Sequence, residues 1–110
     1  MAELQIQPNP LMMAAGETQS VQVQMYNGHM ARLAYKMKCT DVQTWRIQPV
    51  YGFIEPMQTI PIEIQHKAGP PKMDTLICQF AEPPPDETNP KAMFMCPAEF
   101  PEIQVQLIAQ

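Results

Sequence analysis

The chain has 110 residues, the size of one ordinary domain with one hydrophobic core. Its net charge is −4, with seven Lys and Arg against eleven Asp and Glu. This balance argues against binding to nucleic acid or to an anionic membrane surface, because both need clustered basic residues. Thirteen prolines alternate with short apolar runs, which is typical of a folded strand-and-turn protein.

Nothing in the sequence predicts secretion or membrane insertion. The first ten residues have neither a basic start nor an apolar stretch, and no apolar run is long enough to cross a bilayer. The cysteines Cys39, Cys78 and Cys96 are odd in number and widely spaced, without a CxxC motif. We therefore expect the reducing cytoplasm, with no disulfide framework.

Short strands separated by turn residues are predicted along the whole chain. Two short strands, over residues 4–7 and 11–14, flank Pro8-Asn9-Pro10. Apolar and polar residues alternate over 21–25, 33–39, 60–64 and 103–107, and strands are also predicted over 44–48 and 75–80. Asn27-Gly28 is the strongest turn signal. Seven or eight short strands predict an all-β antiparallel sandwich.

Prolines give two further predictions about topology. Pro61 lies inside the strand predicted over 60–64 and cannot donate a ladder hydrogen bond, so this strand is predicted at a sheet edge. The proline-rich stretch 83–90 is predicted to be a long connection that crosses to the other sheet before the last strand. A single helical turn is predicted near residues 91–95, and no second domain is expected.

The middle of the chain resembles the major sperm protein (MSP) domain family. Residues 32–40 resemble its third-strand signature, an apolar-alternating strand that ends in Lys-x-Thr. Residues 45–49 and 51–56 match a family pattern in which proline, glycine and proline recur. Residues 46–53, 69–72 and 81–90 further resemble the small single-domain sperm-specific proteins of nematodes. The resemblance implies one seven-stranded immunoglobulin-like sandwich, of MSP/PapD-like type, over residues 1–110.

The resemblance also implies two functions. Major sperm proteins dimerise and polymerise into the cytoskeletal filaments of crawling nematode sperm. Their membrane-anchored relatives, the VAMP-associated proteins, use a basic face to bind short acidic peptides that contain two aromatic residues. The chain is therefore expected to be a non-enzymatic, cytoskeleton-associated interaction protein of nematode sperm, with another protein or a second copy of itself as partner. The alternative is an adaptor for acidic peptides.

The basic face of the peptide-binding relatives is matched only in part. Lys36, Lys38 and Thr40 fall on the matching positions of the third strand and are the candidate peptide-binding face. Thr75 and Glu102 stand where those relatives have basic residues, so two expected positive charges are missing.

Three residues of the proline-glycine-proline pattern are expected to be structural. Gly52 lies between two aromatic residues and is predicted to occupy a tight bend, where a Cβ would not fit. Pro49 and Pro56 are predicted to fix turns at its two ends.

No catalytic residue, metal site or cofactor is predicted. His29 and His66 are expected on the surface, away from any cysteine or carboxylate at metal-ligand spacing. Asp86 and Glu87 are adjacent in a proline-rich loop and are expected to be solvated, which does not suit acid–base catalysis.

Two surfaces are candidates for protein contacts. Met93, Phe94, Met95 and Phe100 follow the long polar loop and are predicted to form an exposed hydrophobic interaction patch. A second set is neutral, polar and outward-facing: Gln22, Gln24, Gln104 and Gln106. Such faces do not repel one another as charged faces would, so self-association, including a homodimer, is physically permitted.

Overall fold

A computed structural model describes residues 4–95 and 98–110. Its strands are β1 Leu4–Gln7, β2 Leu11–Met13, β3 Gln19–Asn27, β4 Leu33–Cys39, β5 Trp45–Gln48, β6 Tyr51–Ile54, β7 Thr59–His66, β8 Lys72–Ala81 and β9 Glu102–Ala109. The only helical element in those ranges is a 3-10 turn, Ala92–Phe94, at the place predicted for a helical turn.

The strands form two sheets. One has four strands in the order β1-β3-β7-β5, and the other has five in the order β2-β9-β8-β4-β6. All pairs are antiparallel except β2 with β9, which are parallel. The apolar residues of the alternating strands point between the sheets, and Trp45, Tyr35 and Met25 are the largest buried side chains. The predicted immunoglobulin-like sandwich is confirmed.

The edge position predicted for the strand containing Pro61 is wrong, because β7 lies between β3 and β5. The missing N–H of Pro61 nevertheless leaves no strand without a hydrogen-bond partner, for the following reason. Lys67 N donates to Thr44 O, so alternate residues of β7, including Pro61, direct their backbone toward β5. Since β5 ends at Gln48, opposite Glu63, it provides no partner beside Pro61.

The sheet crossing predicted for the long connection is also wrong. The connection leaves β8 and returns to β9, and these strands are antiparallel neighbours from Lys72↔Ala109 to Gln79↔Glu102. Arg32 fastens the connection to the five-stranded sheet. Its guanidinium donates to Pro84 O and Glu87 O and stacks over the Phe53 ring, 4.1 Å from the centroid.

The bend predicted at Gly52 is wrong as well, because Gly52 lies inside β6, opposite Tyr35 of β4. A Cβ on Gly52 would lie 2.7 Å from Tyr35 Cζ, so glycine is needed for close packing rather than for a bend. Pro49 lies in the short link between β5 and β6. Pro56 is the second residue of a turn in which Gln58 N donates to Glu55 O over 3.1 Å.

The Asn27-Gly28 turn leads from β3 in one sheet to β4 in the other, so it does not close a hairpin. Asn27 is fully buried, and its Nδ2 donates to the carbonyl oxygens of Ala31, Ile54 and Glu55 over 3.0–3.2 Å. Its Oδ1 accepts from His29 N over 2.8 Å. One side chain therefore joins the end of β3 to the end of β6 and to the turn that precedes β4.

Candidate functional site

The outer surface of the four-stranded sheet is rich in glutamine, and we call it the glutamine face. The outward phase of β1, β3, β5 and β7 carries Gln5, Gln7, Gln22, Gln24, Gln48 and Gln65, with Ser20, Tyr26, Thr59 and Pro61 between them. Among the residues that the structure describes, only Arg46 and Glu63 are charged there. Glu63 accepts a 2.8 Å hydrogen bond from Gln65, and Arg46 has no ion pair within the described ranges.

The structure divides the glutamines that the sequence grouped together. Gln22 and Gln24 lie on the glutamine face, whereas Gln104 and Gln106 lie on the outer surface of the five-stranded sheet. On β9, Gln104 is opposite Ile77 and Gln106 is opposite Thr75. The two pairs are therefore separate surfaces of similar chemistry.

The candidate peptide-binding residues lie along β4 and just beyond its end. Lys36 and Lys38 share the outer phase of this strand, and Lys36 Nζ is 5.7 Å from the centre of the Tyr51 ring on β6. Thr40 is not free: its hydroxyl donates to Asp74 Oδ1 over 2.9 Å and accepts from Thr75 N over 3.0 Å.

Acidic side chains stand close to this face. Lys72 forms ion pairs with Asp41 and, over 3.3 Å, with Asp74. Its hydrogen bond holds the pKa of the Asp41 carboxyl well below the ordinary range, with help from the Thr44 hydroxyl and Gln43 N, and the same bond raises the pKa of Lys72. Negative charge therefore adjoins Thr40, where an acidic peptide would need positive charge.

The two positions lacking a basic residue also lie on the five-stranded sheet. Thr75 is in β8 and Glu102 begins β9. Glu102 is opposite Gln79, which in turn is opposite Lys36, so the negative charge and the lysine lie in one row across three strands.

The predicted hydrophobic patch is brought together as an aromatic cluster. The Phe94 ring lies 4.9 Å from that of Phe100 and 6.2 Å from that of Tyr51, centre to centre. Met93, Phe94 and Phe100 are half-buried, and Met95 is the exposed member, with 76% of its surface accessible. Lys91 Nζ lies 5.3 Å from the Tyr51 ring centre.

Sequence reasoning missed Tyr51 as a surface feature, although Lys36 and Lys91 both approach its ring. The pairing of β4 with β6 and the return of the long connection bring these residues together, and neither has a local signal. An apolar row on three adjacent strands, in which exposed Met12 and Met73 flank half-buried Ile108, was missed for the same reason.

The surface position predicted for His66 is wrong. His66 is 1% exposed, its ring lies 4.7 Å from that of Trp45, and its Nδ1 is 3.0 Å from Glu17 O. His66 is the last residue of β7. The strand keeps its alternation to this position, so the His66 side chain shares the inward phase of Ile62 and Ile64. His29 is half-buried.

The remaining candidates for reactive chemistry are the cysteines and the acidic pair of the long connection. Cys39 and Cys78 are free thiols, and burial raises the pKa of both, that of Cys78 to about 12. Cys96 lies outside the described residues. Asp86 is exposed and Glu87 half-buried. Within residues 4–95 and 98–110, no three His, Cys, Asp or Glu side chains are grouped to hold a metal, and no helix could span a membrane.

Comparison with known proteins places these features in a family. A family model described as the MSP (Major sperm protein) domain matches residues 3–98. Sperm-specific class P protein 31 of Caenorhabditis elegans is 42% identical over 79 residues, which cover 72% of this chain and 74% of the relative. Sperm-specific class P protein 34 of the same organism has the same identity and coverage.

Solved structures agree with the sequence relatives. WR4, a C. elegans MSP family member, superimposes with a TM-score of 0.90 at 33% identity, covering 97% of each chain. The YadV chaperone, with a TM-score of 0.73 and 10% identity over 97% of this chain and 51% of its own, shares the fold alone. This chain belongs to the MSP-domain family and is related to sperm-specific proteins of nematodes.

Proposed function

We propose that the protein is a non-enzymatic interaction module of the nematode sperm cytoplasm, associated with the sperm cytoskeleton, that self-associates through the glutamine face. The observation that carries this proposal is the chemistry of that face. Most of the described residues of this sheet surface are exposed, and among them only Arg46 and Glu63 are charged.

A neutral amide surface suits association with a copy of itself. Each glutamine side chain both donates and accepts hydrogen bonds, so two identical faces satisfy one another without a separate complementary surface. Removing amides from water also costs less free energy than removing unpaired charges. In a two-fold dimer, Arg46 of each copy can pair with Glu63 of the other, because a two-fold axis makes every such contact twice.

The test is sedimentation velocity over a wide concentration range in reducing buffer. We expect a concentration-dependent dimer or larger species for the unaltered chain. The double variant Gln22→Lys/Gln24→Lys adds like charges to the glutamine face and should shift association to higher concentration by about tenfold or more. The matched control, Gln104→Lys/Gln106→Lys, adds the same charge to the other sheet and should leave association unchanged. A strict monomer, or equal effects of both variants, contradicts the proposal.

Cytoskeletal association has its own assay. The labelled chain is mixed with filaments assembled from major sperm protein and pelleted, with a monomeric unrelated sandwich domain as the control. Enrichment in the pellet that saturates with filament concentration supports the association. Recovery no greater than that of the control domain contradicts it, whatever the result for self-association.

The alternative function is an adaptor for acidic peptides. It is supported by Lys36, Lys38 and the neighbouring Tyr51 ring on one surface. Two features oppose it. Asp74 already accepts the hydrogen bond of the Thr40 hydroxyl, and Glu102 places a negative charge in the same cross-strand row as Lys36. Titration with an acidic peptide containing two aromatic residues tests it. Binding that is lost in both Lys36→Glu and Lys38→Glu favours the adaptor, and binding unchanged in Lys38→Glu excludes this face.

A further inference from the structure

A groove opens between the two sheets where the edge of β5 faces the end of β4. Its volume is about 470 Å³. Its apolar lining residues are Met37, Cys39, Val42, Trp45, Ile47 and Val50. Val42 and Val50 are 68% and 43% exposed and line the same groove, so they form one apolar surface that a partner can cover.

Unpaired backbone groups border this groove on both sides. Alternate residues of β5 bond to β7, as Thr44 does to Lys67, so the backbone of Ile47 points away from β7. On β4, Met37 N donates to Val50 O, and Cys39, two residues later, directs its backbone to the same side. In the described part of the chain, neither Ile47 N nor Cys39 N has a backbone partner across the groove.

Both charged residues that line the groove are positive. Lys38 and Arg46 are both exposed and lie among its lining residues, which include no Asp or Glu. The nearby Asp41 is bonded to Lys72, Thr44 and Gln43 and does not neutralise them. In a chain of net charge −4, a groove with two free cations attracts a ligand of negative charge.

We propose that this groove binds an extended segment of a partner protein, in which small aliphatic residues alternate with polar ones and acidic residues stand at the ends. The segment lies as an added strand on β5 and hydrogen-bonds to the backbone of Ile47. Its aliphatic side chains pack on Val42 and Val50, and its carboxylates meet Lys38 and Arg46. The groove lies between the sheets, and it shares Arg46 with the edge of the glutamine face and Lys38 with the outer phase of β4, whereas Val42, Ile47 and Val50 belong to the groove alone.

The probe is a fluorescein-labelled peptide in which valines alternate with threonines between aspartates at both ends. Its counterpart has lysines in place of the aspartates. We expect saturable binding of the acidic peptide by fluorescence polarisation, weaker at high salt, and no saturable binding of the basic one. Amide signals of Ile47 and Cys39 should shift in a nitrogen–proton correlation spectrum, because the Ile47 backbone gains a hydrogen bond to the added strand and the Cys39 amide lies beside that strand.

Variants separate this groove from the other surfaces. Val42→Glu and Arg46→Glu should each weaken binding of the acidic peptide by about tenfold or more. Lys36→Glu removes the same charge from the outer surface of the five-stranded sheet and should leave binding unchanged. Thermal unfolding of each variant shows whether it remains folded, and Val42 and Arg46 are exposed, so we expect little change.

Three outcomes overturn the proposal. One is the absence of saturable binding of the acidic peptide. Another is equal loss of binding in Lys36→Glu, which moves the site to the outer face. The third is that the peptide fails to bind and the unaltered chain forms a dimer that dissociates in Val42→Glu. That result would mean that a second copy of the chain occupies the groove. Arg46 also lies on the glutamine face, so peptide titrations are made at concentrations where sedimentation shows a monomer, and Val42→Glu, which leaves the glutamine face unaltered, is the deciding variant.

Discussion

The indole Nε1–H of Trp45 donates a 2.9 Å hydrogen bond to Oδ2 of Asp74, and this bond links the two sheets. Trp45 belongs to β5 of the four-stranded sheet and Asp74 to β8 of the five-stranded sheet. Asp74 also accepts from the Thr40 hydroxyl and pairs with Lys72. A single carboxylate therefore satisfies a buried aromatic donor and holds the end of β4.

Asp74→Ala should lower the free energy of unfolding by about 1–3 kcal/mol, because the buried Trp45 N–H loses its acceptor. Urea unfolding followed by Trp45 fluorescence measures the change. Asp86→Ala is the control, since Asp86 is exposed in the long connection, and it should change stability by less than about 0.5 kcal/mol. Equal effects of the two substitutions would show that the bond to Trp45 does not stabilise the fold.

Asp41 should make the protein sensitive to acid. Its pKa in the folded chain lies below the ordinary value, mainly through the hydrogen bond from Lys72, so the folded state favours the ionised carboxylate. Because the pKa of Asp41 is lower in the folded than in the unfolded chain, the ionised carboxylate stabilises the fold above the unfolded pKa of about 4. This stability is lost as the pH falls through the folded pKa. Urea midpoints measured from neutral pH down to about pH 2 should fall less steeply for Asp41→Asn than for the unaltered chain. Parallel curves would contradict the assignment to Asp41.

Gly52→Ala should destabilise the protein by about 1–3 kcal/mol, because the added Cβ would overlap the Tyr35 ring. Tyr35 is 2% exposed and belongs to the packed core, so moving its ring away disturbs neighbouring core side chains. Gly69→Ala is the matched control, since nothing lies within 4 Å of a Cβ at that position. Thermal and urea unfolding measure both. If Tyr35→Ala restores part of the stability lost in Gly52→Ala, the overlap is the cause, and independent, additive losses would exclude it.

Asn27→Ala should cost about 1–3 kcal/mol of stability, because three carbonyl oxygens lose their shared donor in a buried place. Asn27→Asp should cost more, since its carboxylate would face the same three oxygens. Urea unfolding compares both with Asn89→Ala, because the Asn89 side chain is exposed and its one hydrogen bond in the described ranges is accepted from Lys91 N. A stability of Asn27→Asp equal to that of the unaltered chain would contradict the donor role of Nδ2.

Local pattern was sufficient to predict most strands and the class of fold. Alternation over 33–39 and 103–107 reappears almost unchanged as β4 and β9, because a strand with one buried face must repeat its apolar residues at every second position. The helical turn near 91–95 and the all-β sandwich were also predictable from sequence. The resemblance to the MSP family, carried by residues 32–56, is confirmed by the match over residues 3–98.

The candidate surfaces were only partly predictable. The outward positions of Lys36, Lys38, Gln22 and Gln24 follow from strand periodicity. Periodicity does not say which sheet a strand joins, so the separation of Gln22 from Gln104 could not be predicted.

The sequence by itself determined which residues face inward, because burial of apolar side chains at alternate positions is a local property of a strand. The tertiary structure alone decided which strands are neighbours. That choice placed Pro61 beside the end of β5, returned the long connection to β9, buried His66 against Trp45 and set the Tyr35 ring over Gly52. The physical reason is that each of these contacts joins segments distant in the chain, and their packing free energy exists only after the sheets have assembled.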